Sequence, residues 1–86
     1  MKIYYSQLFK EKVNKLPPDV KKILKKKLEL LLQNPYHPSL RTKKIQGTKD
    51  IFETTITMGI RLTWQYKDDG IILRNIGEHD KTLKNP

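Results

Sequence analysis

The chain contains no cysteine. Disulfides and thiolate metal sites are therefore excluded, and a reducing, cytoplasmic setting is expected. No run of about 18 apolar residues occurs, so no transmembrane helix is expected. The start, Met1-Lys2-Ile3-Tyr4-Tyr5-Ser6, lacks the apolar stretch and small-residue cleavage site of a secretory leader. Histidine is scarce, with only His37 and His79, and the carboxylates show no ligand spacing. No metal site is expected from such a set. Phosphate-binding glycine loops, Ser/His/Asp sets and cysteine nucleophiles are also missing. Aromatic residues are only 8% of the chain, and most fall on apolar faces, so no base-stacking platform is expected.

Acidic residues are also few. Eighteen Lys and Arg face nine Asp and Glu, a formal charge of +9 over 86 residues. The excess is uneven. Residues 1–49 carry a net +10, and residues 50–86 a net −1. Fifteen of the basic residues are lysine, which suits diffuse attraction to phosphates. Arg41, Arg61 and Arg74 are the three arginines and the more selective pointers, because a guanidinium makes shaped contacts. The charge balance favours a nucleic-acid partner over a role in solubility alone.

The length suits one domain, residues 1–86. Ile3-Tyr4-Tyr5 reads as a short strand. Ser6 is placed to cap a helix over 7–15 whose buried face is Phe9, Val13 and Leu16. Pro17-Pro18 ends it and starts a second helix, with Pro18 in the first turn and Asp19 at the positive end of the dipole. Val20, Ile23, Leu24, Leu28, Leu31 and Leu32 make its apolar stripe, and Asn34-Pro35 stops it. The period then becomes two. An edge strand is expected over Thr42–Gln46, followed by a turn at Gly47–Asp50. Further strands are expected from Phe52, from Ile60 to Tyr66, and from Ile71 to Ile76, with a turn at Lys67–Gly70. The order predicts an α+β fold, an α-hairpin on one face of a mainly antiparallel sheet.

Alternation divides the sheet. Leu62, Trp64 and Tyr66 should face the helices, leaving Glu53, Thr55, Thr57, Arg61, Thr63 and Gln65 on an uncovered side. Arg61 is then either a cross-strand partner of Glu53 or a clamp on a phosphate oxygen. His79 follows the last strand just after Gly77 and is delivered to the same rim, where an imidazole can give or take a proton. Adjacent Asp80 could tune it, although neighbours on an extended chain point apart. Lys43 and Lys44 either protect the edge or steer an RNA backbone. Glu53 either holds Arg61 or acts as a base. His37 lies in a proline-flanked loop and reads as structural. The tail 81–86 reads as loose.

The ordered set His37-Pro38-Ser39-Leu40-Arg41-Thr42-Lys43-Lys44-Ile45-Gln46-Gly47, Ile51-Phe52-Glu53, Ile60-Arg61-Leu62 and Ile76-Gly77-Glu78-His79-Asp80 resembles toxins of the RelE/ParE superfamily, in particular the RelE-like mRNA interferases. The resemblance spans essentially the whole chain. It implies a small α+β fold and metal-independent endoribonuclease activity without a cofactor, on mRNA in the ribosomal A site. Attack by the 2′-hydroxyl would leave a 2′,3′-cyclic phosphate. Arg61 would stabilise the scissile phosphate, and His79 would protonate the leaving oxygen. Lys43 and Lys44 would support the phosphate or help activate the 2′-hydroxyl, and Glu53 would orient or act as base. Arg41 and Arg74 join Lys43 as RNA-binding candidates. The expected protein partner is an acidic antitoxin that folds on binding. Two alternatives come from other classes: a ParE-like inhibitor of DNA gyrase, which shares the fold without cutting RNA, and a plain RNA-binding module.

Overall fold

A computed structural model describes residues 1–86. The elements run β1 (Lys2–Tyr5), α1 (Gln7–Val13), α2 (Pro18–Gln33), a single 3-10 turn (Pro38–Leu40), β2 (Lys43–Lys44), β3 (Phe52–Thr55), β4 (Ile60–Lys67), β5 (Gly70–Glu78) and α3 (His79–Lys84). The five strands lie in the order β1-β5-β4-β3-β2. Only the β1–β5 pair is parallel. The α+β layer expected from the element order is the one observed.

Local signals account for the helix ends. The Ser6 hydroxyl accepts from the Phe9 amide at 3.0 Å and starts α1. The same hydroxyl donates to the Arg74 carbonyl at 2.6 Å, which ties the β1–α1 junction to β5. Pro18 opens α2 and Asn34 ends it. The first helix is shorter than expected, stopping at Val13, because the chain tightens into a turn before Pro17.

The core joins the hairpin to the sheet. Phe9, Leu24 and Leu31 pack with Leu62, Trp64, Ile71, Leu73 and Ile76, and Leu40 of the 3-10 turn seals the cluster. The predicted α2 stripe is narrower in fact. Leu24 and Leu31 are buried, Leu28 is half-buried, and Ile23 meets solvent. The Trp64 indole donates to the Thr54 hydroxyl at 2.9 Å, so the largest core residue leaves no orphaned donor. At Gly70 a Cβ would stand 1.9 Å from the Lys2 carbonyl oxygen, so β1 closes on β5 only over a glycine.

Two expectations change here. First, β2 spans just Lys43 and Lys44, not Thr42–Gln46, and it forms the sheet edge beside β3. A two-residue edge limits wrong pairing. Second, residues 79–84 are a helix rather than a loose tail, and α3 packs on β4 and β5. It lies on the side of Glu53, Arg61 and Thr63, since a Cβ at Gly77 would meet the Thr82 hydroxyl at 3.1 Å and the Asn75 amide donates to the Asn85 carbonyl at 2.9 Å. The face expected to be uncovered is thus partly roofed, and Glu53, Thr63 and Asn75 are buried beneath it.

Candidate functional site

The turn joining β3 to β4, residues 56–59, organises the polar end of the sheet. Arg61 bends back onto it. Its Nη1 donates to the carbonyls of Thr57 at 2.8 Å, Met58 at 3.0 Å and Ile60 at 3.3 Å. Its Nε lies 3.7 Å from the Glu53 carboxylate, and both side chains are largely buried. The cross-strand pair foreseen for Arg61 is present. Its Nη2 has no hydrogen-bond partner within the chain. The guanidinium is therefore held on two sides, at Nε and at Nη1, and only Nη2 is left without a contact.

His79 joins the same turn through its backbone, its amide donating to the Gly59 carbonyl at 2.9 Å. The register places Arg61 opposite Gly77 and Ile60 opposite Glu78, so Arg61 and His79 share one end of the sheet. His79 begins α3, and this changes its relation to Asp80. On an extended chain the two side chains would diverge; at the first helical turn Nδ1 of His79 lies 2.9 Å from the Asp80 carboxylate. The hydrogen bond from His79, followed by its charge, holds the Asp80 carboxyl below the usual carboxylate range. The bond engages Nδ1 and leaves Nε2 without a partner in the chain. The imidazole is 44% exposed.

The remaining candidates separate. Lys43 pairs in register with Glu53 and shares its face; Lys44 pairs with Phe52 and points to the opposite face. Both are exposed. Arg41 is exposed in a left-handed conformation after the 3-10 turn. Arg74 sits at a bulge, the extra residue of β5 between the Thr63–Asn75 and Trp64–Leu73 pairs. It bonds to the Gln65 side chain and to the Pro86 carbonyl. The structure thus assembles Glu53, Arg61, Lys43 and His79 around one end and face of the sheet, and leaves Arg41, Lys44 and Arg74 apart. His37 caps the 3-10 turn, its Nδ1 accepting from the Ser39 amide at 3.2 Å.

A groove of about 560 Å³ adjoins His79, running between α1 and α3 over the end of β5. Lys12, Lys81 and Lys84 line it, with Glu78 and the buried Asn75. No local sequence signal marks these lysines, because only the fold-back of α3 brings Lys81 and Lys84 opposite Lys12.

The same architecture occurs in YafQ from E. coli strain BL21(DE3), which superposes with a TM-score of 0.79 at 20% identity over 94% of this chain and 96% of that one. The fold is that of the RelE/ParE toxins. RelE in the RelB-RelE antitoxin-toxin complex from Methanococcus jannaschii matches with a TM-score of 0.72 at 20% identity, covering 96% and 99% of the two chains. The YoeB/ParE toxin from Agrobacterium tumefaciens reaches 0.80 at 10% identity, covering 92% and 99%. No protein-family model matches the chain, and no curated protein matches it by sequence. The RelE-like architecture is therefore carried by structure at low identity.

Proposed function

We propose that this protein is the toxin of a toxin–antitoxin pair and acts as a metal-independent endoribonuclease on mRNA at the ribosome. The observation that carries this reading is the pairing of His79, its Nδ1 against Asp80, with Arg61 at the same end of a strongly basic, RelE-like fold. In the reaction the ribose 2′-hydroxyl gives up its proton to solvent water, its oxygen attacks the adjacent phosphorus, and the bond to the 5′-oxygen breaks. The products are a 2′,3′-cyclic phosphate and a 5′-hydroxyl. Protonated His79 supplies the leaving oxygen's proton from Nε2, while Asp80 receives the Nδ1 hydrogen bond and orients the ring. The Nη2 group of Arg61 and the Lys43 ammonium stabilise the phosphorane charge. Glu53 holds Arg61; its burial beside the guanidinium favours that role over direct removal of the 2′-proton. Lys44, placed on the other face, is assigned to RNA binding rather than to the reacting phosphate.

The proposed antitoxin has a surface to meet. An apolar groove of about 460 Å³ runs beside β1, lined by Ile3, Tyr5, Val13, Leu24, Leu28 and Leu32 and edged by Lys21 and Lys25. An amphipathic, acidic segment fits both features. The Methanococcus jannaschii structure is of a RelB-RelE antitoxin-toxin complex, which supports an antitoxin partner.

The test is cleavage of mRNA in a translating extract, with RNA ends mapped. Wild type should cut, and His79→Ala should slow cutting by about 10²–10⁴, the range for loss of a general acid. Undiminished cutting by His79→Ala would reassign the acid. Intact mRNA together with blocked DNA supercoiling would replace this reading with the gyrase one.

A further inference from the structure

The aromatic residues are not all consumed by the core. Trp64 is fully buried and Phe52 stacks on it with centroids 4.8 Å apart. Tyr36, from the loop after α2, and Tyr66, near the end of β4, both stand edge-on to Phe52 at 6.4 and 5.8 Å. Yet Tyr36 is 59% exposed and Tyr66 48%. Two large rings anchored on the stacked Phe52–Trp64 pair, and open to solvent together, form an aromatic shelf. The sequence expectation that these rings are too buried to meet a base does not hold for this pair.

The surroundings select the occupant. Lys44 is in register with Phe52 and projects to the shelf's side of the sheet, while its neighbour Lys43 projects to the side of Glu53 and Arg61. The two lysines therefore straddle the β2 edge, with the polar site on one side and the shelf on the other. Tyr66 lies six residue steps along β4 from Ile60, at the His79 end. That is about 20 Å at roughly 3.3 Å per residue. The span suits a strand of a few nucleotides, at the lower end of the roughly 4–16 that small binding folds occupy. Stacking on exposed rings beside a lysine-lined edge suits unpaired bases.

We propose that Tyr36 and Tyr66 form a stacking platform for unpaired bases of an RNA strand that reaches the His79 end across the Lys43–Lys44 edge. The proposal rests on the nucleic-acid reading above and adds a second contact region to it. Tyrosine suits the task because its ring offers a face at low conformational cost, with a polar tip toward water.

The experiment is equilibrium binding of a fluorescein-labelled, mixed-sequence single-stranded RNA to the full chain carrying His79→Ala, so that the probe survives. Tyr36→Ala and Tyr66→Leu, each added to that background, should weaken binding about 5-fold or more, and Tyr36→Phe and Tyr66→Phe should keep it. Tyr66→Leu preserves apolar packing on Phe52, and circular dichroism verifies the fold. An RNA of equal length with abasic positions should lose the sensitivity to both tyrosines, since its phosphates remain while its stacking faces are gone. If the parent binds RNA tightly and the tyrosine variants bind equally well, the platform is wrong while the nuclease reading stands. If the parent binds no RNA, the nucleic-acid reading fails with it. If the variants keep RNA but lose an acidic amphipathic peptide, the shelf docks protein, and the proposal is overturned.

Discussion

The helical half and the sheet half handle charge in opposite ways. Residues 1–49 carry the net +10, and the lysines of α2 enter none of the chain's three ion pairs. Lys27, which donates to the Ser39 carbonyl, is the exception that makes a fixed polar contact. Residues 50–86 are nearly neutral, but their key basic side chains are held: Arg61 by three carbonyls and Glu53, Arg74 by Gln65 and Pro86, and the His79 imidazole by Asp80. Free lysines attract a polyanion without regard to its geometry, whereas held cations can prefer one position of one phosphate. On the proposed function the two halves divide attraction from chemistry, and each part of that division can be broken separately.

The largest effect is expected at Arg61. Arg61→Ala would strand the buried Glu53 carboxylate and remove the donor from the β3–β4 turn. Breaking such a pair should cost about 3 kcal/mol, the lower end of the buried range because the guanidinium keeps some solvent access. In a domain of this size each kcal/mol lowers Tm by roughly 4–8 °C. Thermal unfolding should thus show a drop of more than about ten degrees, with Arg61→Lys in between. Loss of cleavage in Arg61→Ala at an unchanged Tm would mean that the residue is free for substrate and not held.

A smaller effect is expected from the free cations. Replacing Lys21, Lys22, Lys25 and Lys26 together with glutamine should leave Tm nearly unchanged, since all four are exposed. It should weaken RNA binding and flatten its salt dependence, by about 0.7 in the log–log slope for each phosphate that is no longer neutralised. An unchanged slope would move the attraction from α2 to the lysines of the α1–α3 groove.

Much of this arrangement is legible in the sequence, because periodicity reports which face meets the core. The change of period after Pro38, the Ser6 cap and the alternation through Leu62, Trp64 and Tyr66 suffice for an α-hairpin on a sheet. The rest depends on tertiary closure. The bulge at Arg74 puts two residues rather than one between the inward side chains of Leu73 and Ile76, so strict alternation misreads that stretch. The helix α3 is six residues long and too short for a periodic signal; its one buried side chain is Thr82, which propensity does not flag. Without α3 there is no roof over Glu53, no contact between the side chains of His79 and Asp80, and no groove lined by Lys81 and Lys84. Tyr36 and Tyr66 escape a sequence reading for a related reason. Alternation assigns Tyr66 to the helix side correctly, but α2 does not cover that far end of β4, and the ring stays half exposed.

The smallest effect, and the most local, concerns Asp80. Its carboxyl is held below the usual range by the hydrogen bond and charge of His79. A folded-state pKa below the unfolded one favours the native state above the unfolded value, near about 3.9, and that contribution disappears as pH falls through the lower folded value. Both groups are exposed, so the effect on global stability should be slight. The titration itself is the sharper readout. Following the Asp80 carboxyl carbon by NMR should give a midpoint below the ordinary aspartate range in wild type, returning toward it in His79→Ala. Asp80→Asn should leave Tm and RNA affinity nearly unchanged and still slow cleavage, because the amide cannot reproduce the carboxylate's charge beside Nδ1. Equal cleavage rates for Asp80→Asn and wild type across the pH range would show that the contact is a helix-start hydrogen bond alone. His79 would then act without an orienting partner, and the division between held and free cations would rest on the arginines only.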